Sequence, residues 1–195
     1  MSDSAMTPKE SLAVITGIIS EAKARQEENG LVYMVWGILI AVVGAIDFYL
    51  RTQQMYNLIW VPYMIIPFGG IWSFLYYRGK QGSQSSNLVG SILRILWIIA
   101  SANMMILGFG FVGELGENLT PVILILLGTA LSLSGAALRY NPLLYGGIFA
   151  NLVALGSFFL PPDYLPLAMA TVSLISVFGA GLSLRQAYTR RTKNV

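Results

Sequence analysis

The amino-acid sequence predicts an all-α membrane protein: six transmembrane helices laid out as three hairpins, preceded by an amphipathic helix at the membrane surface. Three observations predict it. Of 195 residues, 55% are hydrophobic and only 11% charged, against about 25% charged in soluble domains, so the apolar surface exceeds what one small core hides. Six apolar runs follow one another, each near the ~20 residues that cross ~30 Å of hydrocarbon. Finally, the basic residues fall on one side of the resulting topology.

Composition also removes much chemistry. With no cysteine and no histidine, the chain has no disulfides, thiolate nucleophiles, Cys/His zinc sites or imidazole acid-base groups. The net charge of +3 comes from short basic segments and not a broad patch, which argues against nucleic acid as a partner.

The first element opens with Thr7-Pro8-Lys9-Glu10, a T-x-x-E capping box with proline at the first helical position. Asn29-Gly30 supplies a stop. The predicted helix over 8–28 carries Leu12, Ile15, Ile18, Ile19 and Ala22 on one stripe. Lys9, Glu21, Lys23, Arg25 and Glu28 keep the rest wet, so it lies on the membrane and does not cross it. No basic segment precedes its apolar residues, which sets a signal peptide aside.

The apolar runs cover 31–50, 56–77, 88–112, 120–138, 142–160 and 164–184. The loops are short, the longest being the Gly-, Ser- and Gln-rich 78–87. The chain thus divides into an N-terminal surface helix (1–29), a transmembrane domain (30–185) and a basic tail (186–195). With the N-terminus in the cytoplasm, ten of the twelve basic residues are cytoplasmic and only Arg51 lies outside, while Glu114, Glu117 and Asp163 fall in outer loops. The expected location is the inner membrane of a bacterium, multi-pass, with both termini cytoplasmic. Aromatics near the span ends (Trp36, Trp72 and Tyr77 inside; Tyr49, Tyr56, Trp60 and Tyr164 outside) fit interface belts.

Pro62, Pro121 and Pro166 sit near the starts of the even spans, and Arg78, Arg139 and Arg185 near their ends. A hairpin repeated three times accounts for this; so does the general preference of proline for helix starts and arginine for inner ends. Small residues spaced by four (Gly37, Ala41, Ala45; Gly128, Ser132, Ala136; Ser176, Ala180) permit close helix approach, within the chain or in a homo-oligomer.

Polar residues at membrane depth are the candidate site: Asp47, Arg94, Asn103 and Asn151. Each has a structural and a functional reading. Asp47 can pair with Arg51 one turn further on. Arg94, six residues into the third span and so about 9 Å from its inner end, can snorkel to the headgroups. The asparagines can join helices by amide hydrogen bonds. Alternatively, all four line a ligand pocket. Gly108, Gly110 and Gly113 either loosen the third span for access or pack closely. The sequence contains no G-x-S-x-G, H-E-x-x-H or Walker motif and no intramembrane acidic pair. No catalytic residue, cofactor or metal site is assigned, and an enzyme is not expected.

Lys9-Glu10-Ser11-Leu12 opening the amphipathic helix, Asn29-Gly30, and Trp36-Gly37 in the first span resemble a bacterial group of six-helix integral membrane proteins without an assigned activity. The likeness is strongest over 7–50. Members encoded beside winged-helix transcription regulators imply a role in envelope sensing or homeostasis, and the group offers no functional residues to transfer. The three-hairpin layout alone is loosely similar to HdeD-type acid-resistance membrane proteins.

Two functions are compatible with these readings. The first is a non-catalytic accessory, regulatory or interaction module, whose helix 8–28 contacts a membrane or cytoplasmic protein partner or the lipid bilayer. The alternative is a small transporter, or the membrane-embedded substrate-binding subunit of one, with Asp47, Arg94, Asn103 and Asn151 around its pocket.

Overall fold

The computed structural model describes residues 7–28, 30–79 and 88–193, and every described element is helical. Asn29 of the expected stop, Lys80 with the rest of the 80–87 loop, and the side chains of Arg25 and Glu28 lie outside what is described.

Helix α1 spans Pro8–Glu28, and its capping box forms. The Thr7 backbone N–H and hydroxyl donate to Glu10 Oε2 at 2.8 and 2.9 Å, and the Glu10 N–H donates back to Thr7 Oγ1 at 3.3 Å. Two of the helix's otherwise unpaired end groups are thereby satisfied. The apolar runs then form α2 (Gly30–Thr52), α3 (Ile66–Gly79) and α4 (Leu88–Gly110). After the short α5 (Val112–Leu115) come α6 (Leu119–Ala137), α7 (Asn141–Ser157) and α8 (Leu165–Val172). Through a π-helical segment, Ser173–Phe178, α8 continues into α9 (Gly179–Lys193). The basic tail expected after residue 185 is therefore helical as far as Lys193.

Turns differ from simple loops. The second run begins with 3₁₀ turns at Tyr56–Leu58 and Pro62–Ile65. Helices α2 and α6 both end in the doubly bonded motif that usually recruits glycine, but Gln54 (φ 57°) and Arg139 (φ 50°) occupy the left-handed position. Met55 N–H donates to Leu50 O and Tyr140 N–H to Gly135 O, closing each helix end.

Among the described residues, five stretches are long and apolar enough to cross a membrane: Gly30–Thr52, Tyr56–Gly79, Leu88–Gly110, Val112–Ala137 and Pro162–Lys193. The sequence also predicts a crossing over 142–160. Helix α7 is apolar, but its 17 residues reach only about 25 Å at 1.5 Å per residue, short of the ~30 Å hydrocarbon layer. It stops at Ser157, shortly before Pro161-Pro162.

The core is built on α2, α6, α7 and α8–α9. Its tightest pairings, α6 with α7 and α2 with α8–α9, run across the boundaries of the expected hairpins. Glycine explains both. A Cβ at Gly30 would sit 2.8 Å from Gly181 O, at Gly37 2.6 Å from the Phe178 nitrogen, and at Gly44 2.5 Å from Pro166 O. These three glycines, seven residues apart, carry α2 along α8–α9 backbone to backbone. Between α6 and α7, Gly128 faces Asn151, Gly135 faces Leu144, and Gly147 faces Ser132. Of the small residues expected at interfaces, Gly37, Ala41, Ser176 and Ala180 are buried, whereas Ala45 and Ala136 are exposed. Gly44 and Gly135, one position away, take the contacts instead.

Helix α1 packs against α9, α4 and α2 at one end of the bundle. There Ala22 is buried and the Lys23 ammonium lies 5.2 Å from the centre of the Tyr140 ring. Helices α3 and α4 are peripheral. Only Gly69 of α3 is buried, against Leu39 and Trp36 of α2.

Candidate functional site

Because α3 packs chiefly on α2 and α4 chiefly on α6, the two peripheral helices stand apart. Between them is a cavity of about 2240 Å³. Its wall is largely apolar, with Leu93, Met104, Leu124, Met169 and Val177 among its side chains. Three tryptophans line it, Trp36, Trp60 and Trp97, and Trp36 and Trp97 are each held by a serine across a helix pair. Trp36 Nε1 donates to Ser73 Oγ at 2.8 Å, joining α2 to α3. Trp97 Nε1 donates to Ser134 Oγ at 3.1 Å, joining α4 to α6. The indole polar edge is satisfied in each case, leaving the rings to pack as apolar surface.

Polar groups gather at the two ends. At the end remote from α1, Arg51 Nε donates to Asp47 Oδ1 at 2.8 Å, and the Tyr63 hydroxyl donates to Asp47 Oδ2 at 2.7 Å. Both carboxylate oxygens are engaged, which is what permits Asp47 to be 1% exposed at a depth where a lone charge is costly. All three residues line the cavity, as does Glu117 from the turn before α6. At the α1 end the lining includes Glu21, Arg94, Tyr188 and Arg191.

The structure thus separates the four polar residues singled out in the sequence. Asp47 forms the expected i,i+4 pair with Arg51, and Asp47 and Arg94 border the same cavity near opposite ends. Asn103 is exposed on α4 and is not among the residues lining the cavity. Asn151 is also outside it. The Asn151 amide donates to Gly147 O within its own helix at 3.0 Å, while its side chain fills the space over Gly128. It joins α6 and α7 by packing and not by an amide bridge between them. Gly108 lines the cavity, and neither Gly110 nor Gly113 has a neighbour within 4 Å of where a Cβ would be. Close packing therefore does not explain that pair.

Sequence reasoning missed Tyr63, Trp36-Ser73 and Trp97-Ser134. A signal for the last two was present: Trp97 and Ser134 each lie 61 residues after Trp36 and Ser73. Asn57-Leu58 recurs at the same offset as Asn118-Leu119, and Arg78 as Arg139. Ser173, at the start of the π-helical segment, also borders the cavity, and its buried hydroxyl has no hydrogen-bond partner among the described residues. π-Helical turns disrupt the regular ladder and recur at functional positions.

Among the described residues, no group of three or more His, Cys, Asp or Glu side chains converges to hold a metal. What the arrangement offers is binding: a long apolar space with hydrogen-bonding and charged groups at its ends. Comparison of the chain with family models, curated proteins and solved structures finds no match.

Proposed function

We propose that this protein is a membrane-embedded binding protein for an elongated amphiphile, non-catalytic in itself, with the transporter-type substrate-binding role as its closest functional class. The observation that carries the reading is the cavity. At about 2240 Å³ it exceeds the roughly 300–1,000 Å³ of ordinary small-molecule sites. An apolar middle with polar ends matches a molecule that has a hydrocarbon portion and a headgroup. The cavity lies between helices of membrane-spanning length, where such molecules are dissolved.

The same proposal includes six crossings in a bacterial inner membrane. Gly30 packs on Gly181 and Gly44 on Pro166, so α8 starts at the end of the bundle remote from α1, whereas Tyr140, just before α7, meets Lys23 of α1. Helix α7 therefore has to return the chain from one end to the other, tilted neighbours and a locally thinned bilayer accommodating its short length. Both termini then lie on the side rich in lysine and arginine, the cytoplasm. The likeness of residues 7–50 to the six-helix bacterial group agrees with this topology.

A second reading has its own support. Leu12, Val14 and Ile15 on α1 are 64, 48 and 50% exposed, an apolar face available to the lipid surface or to a protein partner. An interaction module using α1 accounts for that face but not for the cavity.

Purification in mild detergent followed by native mass spectrometry tests the two. The binding reading expects an amphiphile to survive on the protein at unit stoichiometry, or to bind saturably when added back. A protein that carries none and takes up none, but retains a protein partner lost on deletion of residues 8–28, would replace it with the interaction-module reading.

A further inference from the structure

The two ends of the cavity are not equivalent, and the difference names a ligand class. At the Arg51 end, the guanidinium is engaged through one nitrogen only: among the described residues its Nε bonds to Asp47, and Nη1 and Nη2 have no hydrogen-bond partner. Its side chain is 20% exposed and borders the cavity. The bond to Asp47 fixes the plane of the fork, and Tyr63 in turn fixes Asp47. A planar guanidinium restrained at Nε still presents its two terminal nitrogens, the geometry that binds carboxylate or phosphate oxygens in pairs.

We propose that Arg51 is the headgroup anchor of the cavity and that the ligand is an anionic amphiphile, its carboxylate or phosphate on Arg51 Nη1 and Nη2 and its hydrocarbon portion between α3 and α4. Asp47 and Tyr63 are positioning residues. Asp47 also neutralises Arg51 when the site is empty, which keeps a cationic group tolerable at this depth. Glu117, which also lines the cavity, discourages a ligand of high negative charge and suits a head with one anionic group. This inference rests on the amphiphile-binding reading above, and the test separates the two.

The full-length protein, stripped of lipid in detergent, is titrated by native mass spectrometry with stearic acid, its uncharged methyl ester, and a phosphatidic acid. The anchor predicts that at least one of the two anionic probes binds roughly tenfold or more tightly than the ester, as a hydrogen bond to a charged group sustains. Whichever binds better identifies the headgroup chemistry. In the double variant Asp47→Asn, Arg51→Met, the anion-to-ester ratio falls to about one. That variant leaves no buried unpaired carboxylate, and a ratio is insensitive to a general loss of active protein. Arg51→Lys, which keeps the charge but lacks the fork, gives an intermediate ratio. Equal affinity of wild-type protein for acids and ester overturns the anchor while sparing the amphiphile reading; binding of no probe overturns both. Retention of the preference in the double variant, or its collapse in Arg94→Met alone, also overturns the assignment to Arg51.

Discussion

Asp47 shows how a charge that looks anomalous in a membrane span is made stable. The sequence pairs it with Arg51 by simple helical spacing, and the structure adds Tyr63 from the neighbouring run, so neither carboxylate oxygen is left without a donor. Removing that hydroxyl should matter. Tyr63→Phe is expected to destabilise the protein by about 1–3 kcal/mol, the cost of depriving a buried acceptor of its donor. Tyr145→Phe, at a side chain 65% exposed, should leave the detergent melting curve where it was; equal effects of the two variants would contradict the role given to Tyr63. At the other extreme of exposure, Glu10 is held below its usual carboxylate range by the Thr7 backbone N–H first and the Thr7 hydroxyl second. A carboxyl group with a lowered folded value stabilises the fold above the ordinary carboxylate range, and that contribution disappears as the pH falls through the lowered value. Fraying of the first turn of α1 on acidification, read from amide chemical shifts of residues 9–11, should therefore be seen in the natural sequence and be absent in Glu10→Gln, which titrates no carboxyl there.

At the scale of elements, the helices were legible because composition and length decide them. Apolar runs near 20 residues, proline at helix starts and the capping box predict α1 and α4 within two residues of where they are found. Pairing was less legible. Spacing by four pointed at Gly37, Ala41 and Ala45, whereas the contact with α8–α9 runs through Gly30, Gly37 and Gly44. A period of seven keeps residues on one stripe of a helix over a long crossing, where a period of four drifts off it. The cost of adding one carbon there should be large. Gly37→Ala places a Cβ 2.6 Å from the Phe178 backbone nitrogen and is expected to cost about 1–3 kcal/mol or more, the usual range for overpacking. Gly70→Ala, with no atom within 4 Å of the new carbon, should leave stability unchanged or slightly raised. Thermal unfolding of the two variants side by side checks this, and a destabilised Gly70→Ala with a neutral Gly37→Ala would refute the packing described for α2. The π-helical turn lies at this same contact, where Phe178 meets Gly37, and no spacing rule announced it.

For the whole molecule, the proposed orientation and six crossings rest on how the ends of the helices meet and on where the basic residues fall. The absence of native cysteine makes single-cysteine labelling direct. Thr192→Cys should react with an impermeant maleimide only after the cytoplasmic face is opened, Gln53→Cys from the outside of intact cells, and Phe159→Cys, 90% exposed just beyond α7, from the outside as well. Labelling of position 159 only from the cytoplasm would mean that α7 does not cross. The sequence by itself determined the all-helical membrane class, the position of each apolar helix, the N-terminal helix with its cap, and the Asp47–Arg51 pair, because each rests on local composition or on residues within one helical turn. Only the tertiary structure decided that α2 lies along α8–α9, that Tyr63 completes the Asp47 cluster, that Asn103 and Asn151 stand away from Asp47 and Arg94, and that α3 and α4 stand apart around a cavity. In a bilayer the lipid is as apolar as the side chains, so hydrophobicity drives a helix into the membrane without choosing its neighbour. That choice falls to glycine contacts and a few hydrogen bonds between residues far apart in the chain, which no local pattern records.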